Sequence, residues 1–82
     1  MKLPVIKHLQ KNNSKEQLEH TIDVLESFSE HSSVTESEMD VVGELITNLC
    51  GAVEMHAMIA NGASERDAAN GFAKKVLGSI DQ

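Results

Sequence analysis

The sequence predicts an all-α fold: a small four-helix bundle-like domain with a short N-terminal helix and a long central third helix. Three observations carry that expectation. Two segments are preceded by capping-box sequences, three segments repeat apolar residues at helical spacing, and no stretch sustains the alternation of a half-buried strand. Aromatic residues are limited to Phe28 and Phe72, with no Tyr or Trp, so the core must be aliphatic, which suits helices. A chain of 82 residues buries too little surface for two cores, so residues 1–82 are read as one helical domain.

The first helix is expected at 4–11, with Pro4 in the first turn, where its missing N–H is no loss, and Asn12-Asn13 as the stop. The second, at 15–30, follows the capping box Ser14-Lys15-Glu16-Gln17 and ends before His31-Ser32-Ser33. On a wheel of 100° per residue Leu18, Ile22, Leu25 and Phe28 form one stripe, while Glu16, Glu19, Asp23, Glu26 and Glu30 form an acidic stripe opposite. The third helix, at 36–60, has the stronger start: Thr35-Glu36-Ser37-Glu38 is a capping box, and Val34 with Met39 has the spacing of a hydrophobic staple. Its apolar residues, Val41, Val42, Leu45, Ile46, Leu49, Cys50, Ala52 and Val53 among them, spread over about half the circumference, so it must touch several neighbours. Asn61-Gly62 supplies its left-handed stop. The fourth helix, at 65–79, starts from Ser64 and gathers Ala68, Ala69, Phe72, Ala73, Val76 and Leu77 on one side. The expected core sets Leu45, Ile46, Leu49 and Val53 against Leu18, Ile22, Leu25, Phe28, Phe72, Val76 and Leu77. Glycines 43, 51, 71 and 78 fall inside predicted helices, where each costs about 1 kcal/mol relative to Ala, and close helix approach is the expected reason for them.

Thirteen Asp and Glu against seven Lys and Arg give a net charge of −6, the wrong sign for neutralising phosphates, so nucleic-acid binding is disfavoured. No apolar run reaches membrane-spanning length, and residues 1–9 are too short and interrupted for a signal peptide. The single cysteine, Cys50, has no partner for an internal disulfide, which points to a reducing, cytoplasmic location. Charge is segregated: residues 1–15 hold Lys2, Lys7, Lys11 and Lys15 and no acid, whereas residues 16–54 hold ten acids and no Lys or Arg. The basic N-terminal arm is therefore expected against an acidic surface of its own chain or of a partner.

Candidate chemistry is sparse. Cys50 and His56 suggest a thiol-imidazole pair, but six residues separate them by about 120° around one helix, so they do not meet within a chain. Cys50 is expected to be a small buried hydrophobe that reacts slowly in the folded protein. His56 lies in the middle of the third helix's apolar arc and needs a hydrogen-bonding partner, as a packed polar core residue or as a pH-sensitive switch. Glu16, His20 and Asp23 have the spacing of a weak surface cation site, for which surface ion pairing is the better account, and no metal site is expected. Phosphate-binding glycine loops, nucleophile elbows and paired-cysteine motifs are all absent, so no catalytic residue and no cofactor is expected. Met55, Met58 and Ile59 extend apolar character around the last turns of the third helix, more than a short bundle has elements to cover, and are expected to form an interface with a second copy, as a two-fold homodimer; cover of Met55 and Met58 by the basic first helix within the chain is the competing account.

The opening Met1-Lys2-Leu3-Pro4-Val5-Ile6-Lys7, with Gly43-Glu44-Leu45-Ile46 and the closing Lys75-Val76-Leu77-Gly78-Ser79-Ile80, resembles a family of short, uncharacterised bacterial proteins built on a domain of unknown function. The resemblance spans nearly the whole chain and implies a small cytoplasmic protein; it carries over no site residue. The residues themselves favour a non-catalytic helical interaction or scaffold protein that self-associates over an enzyme. Two other classes compete with it: a thiol-redox enzyme or accessory using Cys50, and an acidic protein whose stripe of Glu16, Glu19, Asp23, Glu26 and Glu30 docks on a basic, nucleic-acid-binding protein partner.

Overall fold

A computed structural model describes residues 2–64, 66–71 and 74. It contains α1 (Leu3–Asn12), α2 (Lys15–Ser29) and α3 (Glu36–Ala60), followed by α4, whose described residues are 66–71 and 74. All regular secondary structure among these residues is helical, as the capping and periodicity require, and α3 is the longest element.

Local sequence explains each boundary. Both capping boxes form: Ser14 Oγ accepts from the Gln17 N–H while Gln17 Oε1 accepts from the Ser14 N–H, and Thr35 and Glu38 repeat the exchange at the start of α3. At the end of α1 the two asparagines turn back on the last carbonyls, Asn12 Nδ2 donating to His8 O at 2.8 Å and Asn13 Nδ2 to Leu9 O at 3.1 Å. α3 ends in a Schellman motif, with the Gly62 N–H on Ile59 O and the Ala63 N–H on Met58 O. That turn requires the left-handed conformation, which Gly62 adopts at φ 103°. Ser64 caps α4 by accepting from the Asp67 N–H.

α2 returns along α3 and places Leu18 near Ala52 and Phe28 near Val42. α1 runs beside the C-terminal half of α3. The N–H of its N-cap residue, Lys2, donates to Asn48 Oδ1 at 2.9 Å, and past its end the Asn13 carbonyl accepts from His56. The core gathers where α1, α2, α3 and α4 converge: Ile6, Leu18, Leu49, Ala52, Met55, Ala68 and Ala69, with Ile22, Leu25 and Val53 partly buried against it. Ala68 and Ala69 of α4 are buried in the same cluster as Met55 and Ile6.

Two expected core residues lie elsewhere. Leu45 and Phe28 are each 47% exposed, and Ile46 is only half-buried. The reason is axial. α3 has 25 residues and extends ~37 Å, whereas α1, with ten, covers ~15 Å of it, beginning at the level of Asn48. Among the described residues the preceding turns of α3 pack on α2 alone, so Val42 is buried while Val41 and Leu45, one side further round, are not. The expected core residues Phe72, Val76 and Leu77 lie outside the described residues. Gly43 also departs from expectation: a Cβ built there meets nothing within 4 Å, so close helix approach does not account for it.

Candidate interaction surfaces

The structure exchanges the two ends of α3 relative to the sequence expectation. Met55, expected at an interface, is 1% exposed and sits in the core beneath α1 and α4. Met58 and Ile59 are partly buried against the same cluster. The surplus of apolar surface that pointed to a partner at this end is therefore covered by the chain's own helices, in particular by the basic first helix through Ile6.

The surface left open lies at the opposite end. Val24 and Phe28, one helical turn apart on α2, and Met39, Val41 and Leu45 on α3 are all large apolar residues that remain exposed. Between the two helices is a shallow cleft lined by Phe28, Ser37, Glu38, Val41 and Val42. Glu38 sits on its rim with its carboxylate committed to the helix cap; hydrogen bonds from the Thr35 backbone and then from its hydroxyl hold that carboxyl below the usual glutamate range.

The acidic stripe is displayed as one surface: Glu16, Glu19, Asp23, Glu26 and Glu30 are all exposed, on the flank of α2 away from Val24 and Phe28. His56 is half-buried, and its Nε2–H donates to the Asn13 carbonyl oxygen at 2.7 Å, which ties the α1–α2 junction to α3. Cys50 corrects the expectation of a buried thiol, because it is exposed. Partial desolvation, and then the charge of Glu26 across on α2, push its pKa up. An activated thiolate needs the opposite shift.

Sequence reasoning missed Asn48, which is buried and organises the junction of α1 with α3. It accepts the Lys2 N–H while its Nδ2 donates to the Glu44 carbonyl oxygen at 2.8 Å and to Glu44 Oε1 at 3.2 Å. The available signal was an amide at the edge of the α3 apolar arc. Among the described residues no group of three or more His, Cys, Asp or Glu converges as a metal site, and no helix is long and apolar enough to cross a membrane.

Residues 1–81 match the model of a family described as a family of unknown function, DUF6952. Comparisons with curated proteins and with solved structures return no match.

Proposed function

Since the chain belongs to DUF6952, a family of unknown function, its role has to be read from its own surface, and we propose that it is a non-catalytic helical interaction protein that self-associates as a homodimer. The observation that supports this is the open end of the α2–α3 pair, where Val24, Phe28, Val41 and Leu45 stay exposed, Phe28 and Val41 lining one cleft, while Met39 is exposed on the other side of α3. A two-fold axis through this face would set two helix pairs against each other and complete a four-helix arrangement, each copy covering what the other leaves open. The raised pKa of Cys50 favours this reading over thiol-redox chemistry, and a lone thiol is in keeping with a cytoplasmic location.

The exposed acidic stripe of α2 favours a second reading, in which Glu16, Glu19, Asp23, Glu26 and Glu30 dock a basic protein. The two readings differ in their response to salt. Association through the apolar face is expected to persist or strengthen at high salt, whereas docking through the stripe is screened. Light scattering over the micromolar range tests the first: the expected mass is twice 8.9 kDa, and the double variant Phe28→Glu, Leu45→Glu is expected to return it to the monomer with its helical circular dichroism intact, since both side chains are exposed. A monomeric mass for the unaltered chain at every concentration overturns self-association.

A further inference from the structure

A second feature, on the other side of the molecule, has the opposite character. A cleft of about 290 Å³ between α1 and α4 is lined by Lys7, Gln10, Lys11, Met55, Arg66, Ala69 and Asn70. Three of the chain's seven basic side chains converge here, in a protein with a net charge of −6, and among the described residues no Asp or Glu lines the cleft. Lys7 and Lys11 stand one turn apart on α1, and Arg66 lies in the first turn of α4, where the helix dipole adds to its positive charge. The floor is apolar, formed by the buried Met55 and Ala69.

Gln10 turns this from a basic patch into a built site. It is only 8% exposed and makes no hydrogen bond to a described residue, yet no buried polar side-chain atom of the described chain is left sealed off without a partner. Its amide therefore keeps access to solvent, and Gln10 is among the residues that line the cleft. A largely buried amide at the wall of a cavity, with no hydrogen bond to a described residue, has capacity to offer a ligand.

We propose that this cleft binds a small organic anion. A phosphate or carboxylate head is held by Lys7, Lys11 and Arg66, oriented by the amides of Gln10 and Asn70, and a short apolar tail lies on Met55 and Ala69. The volume sits at the lower end of small-molecule sites, so it suits a compact amphiphilic anion and not a dinucleotide. Arg66 supplies a planar fork for two oxygens, while the lysines act as point charges that steer the head inward.

The test is a nuclear magnetic resonance titration of the full chain with hexyl phosphate, hexanoate, inorganic phosphate and hexanol, each at matched ionic strength. Hexyl phosphate or hexanoate is expected to shift the side-chain amide signals of Gln10 and Asn70 saturably at millimolar concentration, and which of the two binds tighter identifies the head. Inorganic phosphate and hexanol, each with half of the required chemistry, are expected to bind at least tenfold more weakly. The variant Lys11→Gln, Arg66→Gln, altered only at exposed positions, is expected to lose affinity at least tenfold with an unchanged helical spectrum. An absence of saturable shifts with both amphiphilic anions overturns the proposal, as does equal affinity in the variant or for hexanol. Since neither altered residue borders the α2–α3 face, loss of this site leaves the association state untouched, and the two proposals fail separately.

Discussion

Cys50 faces solvent on α3, yet its thiol is harder to ionise than that of an ordinary cysteine, because partial desolvation and then the carboxylate of Glu26 both oppose a thiolate. Accessibility and reactivity are thus separated at this residue. Alkylation at neutral pH proceeds through the thiolate, so Cys50 is expected to label completely in the native protein but more slowly than after denaturation, even though it is not buried. Glu26→Gln removes the second cause and leaves the first, and it is expected to speed native labelling by less than about tenfold while leaving the rate in denaturant unchanged. If the substitution has no effect on the native rate, the electrostatic part of this account is wrong. On the helical wheel Cys50 stands at the edge of the apolar arc, and the wheel alone does not show that an acidic stripe passes opposite it.

At the scale of elements, the ends of the helices were legible in the sequence because their causes are local. The hydroxyl of Thr35 and the carboxylate of Glu38 are three residues apart, and no tertiary contact is needed to bring them together. This cap has a definite pH dependence. The native carboxyl of Glu38 titrates below its unfolded value, so between the two values the unfolded chain binds more protons than the native one. Its contribution to stability is therefore fully present above the ordinary glutamate pKa of about 4.3 and is lost as pH falls through the lower native value. Glu38→Gln retains a side-chain acceptor for the Thr35 N–H but cannot titrate. It is expected to lower stability slightly at pH 7, where the charge-dependent part of the cap is lost, and to flatten the loss in acid so that the two chains converge at low pH, as measured by thermal unfolding between pH 7 and 3. An acid profile identical to that of the parent chain would show that Glu38 does not couple to folding. What the wheel did not show was the level along α3 at which each side is covered. Leu45 and Leu49 lie on the same side of the helix, one turn apart, and of the two only Leu49 belongs to the buried cluster that α1 joins through Ile6. Asn48, which pins the start of α1 at that level, acts across 46 residues of sequence, and no local pattern announces such a contact.

For the whole molecule, the two ends of α3 have different physical roles. Met55 is fully buried in one cluster with Ile6, Leu18, Ala52 and the alanines of α4, drawn from four helices; around Leu45, among the described residues, only α2 is packed on α3. Apolar content by itself does not separate these ends, since the sequence is rich in aliphatic residues at both, and it is the placement of the short α1 that decides which is core and which is surface. A substitution at each end therefore reads out the architecture. Met55→Ala removes a fully buried side chain and is expected to cost about 2–5 kcal/mol, the cavity adding to the lost transfer energy. Leu45→Ala, at a site that is half open, is expected to change the stability of the monomer by less than about 0.5 kcal/mol. Urea unfolding at nanomolar concentration, where a dimer of modest affinity is dissociated, isolates these monomer terms. Repeating the measurement at high micromolar concentration adds the association term, and there Leu45→Ala is expected to become destabilising while the penalty at Met55 stays as it was. Equal penalties for the two variants in the dilute protein would mean that the α2–α3 face is closed within the chain, and the surface on which association is proposed would not exist.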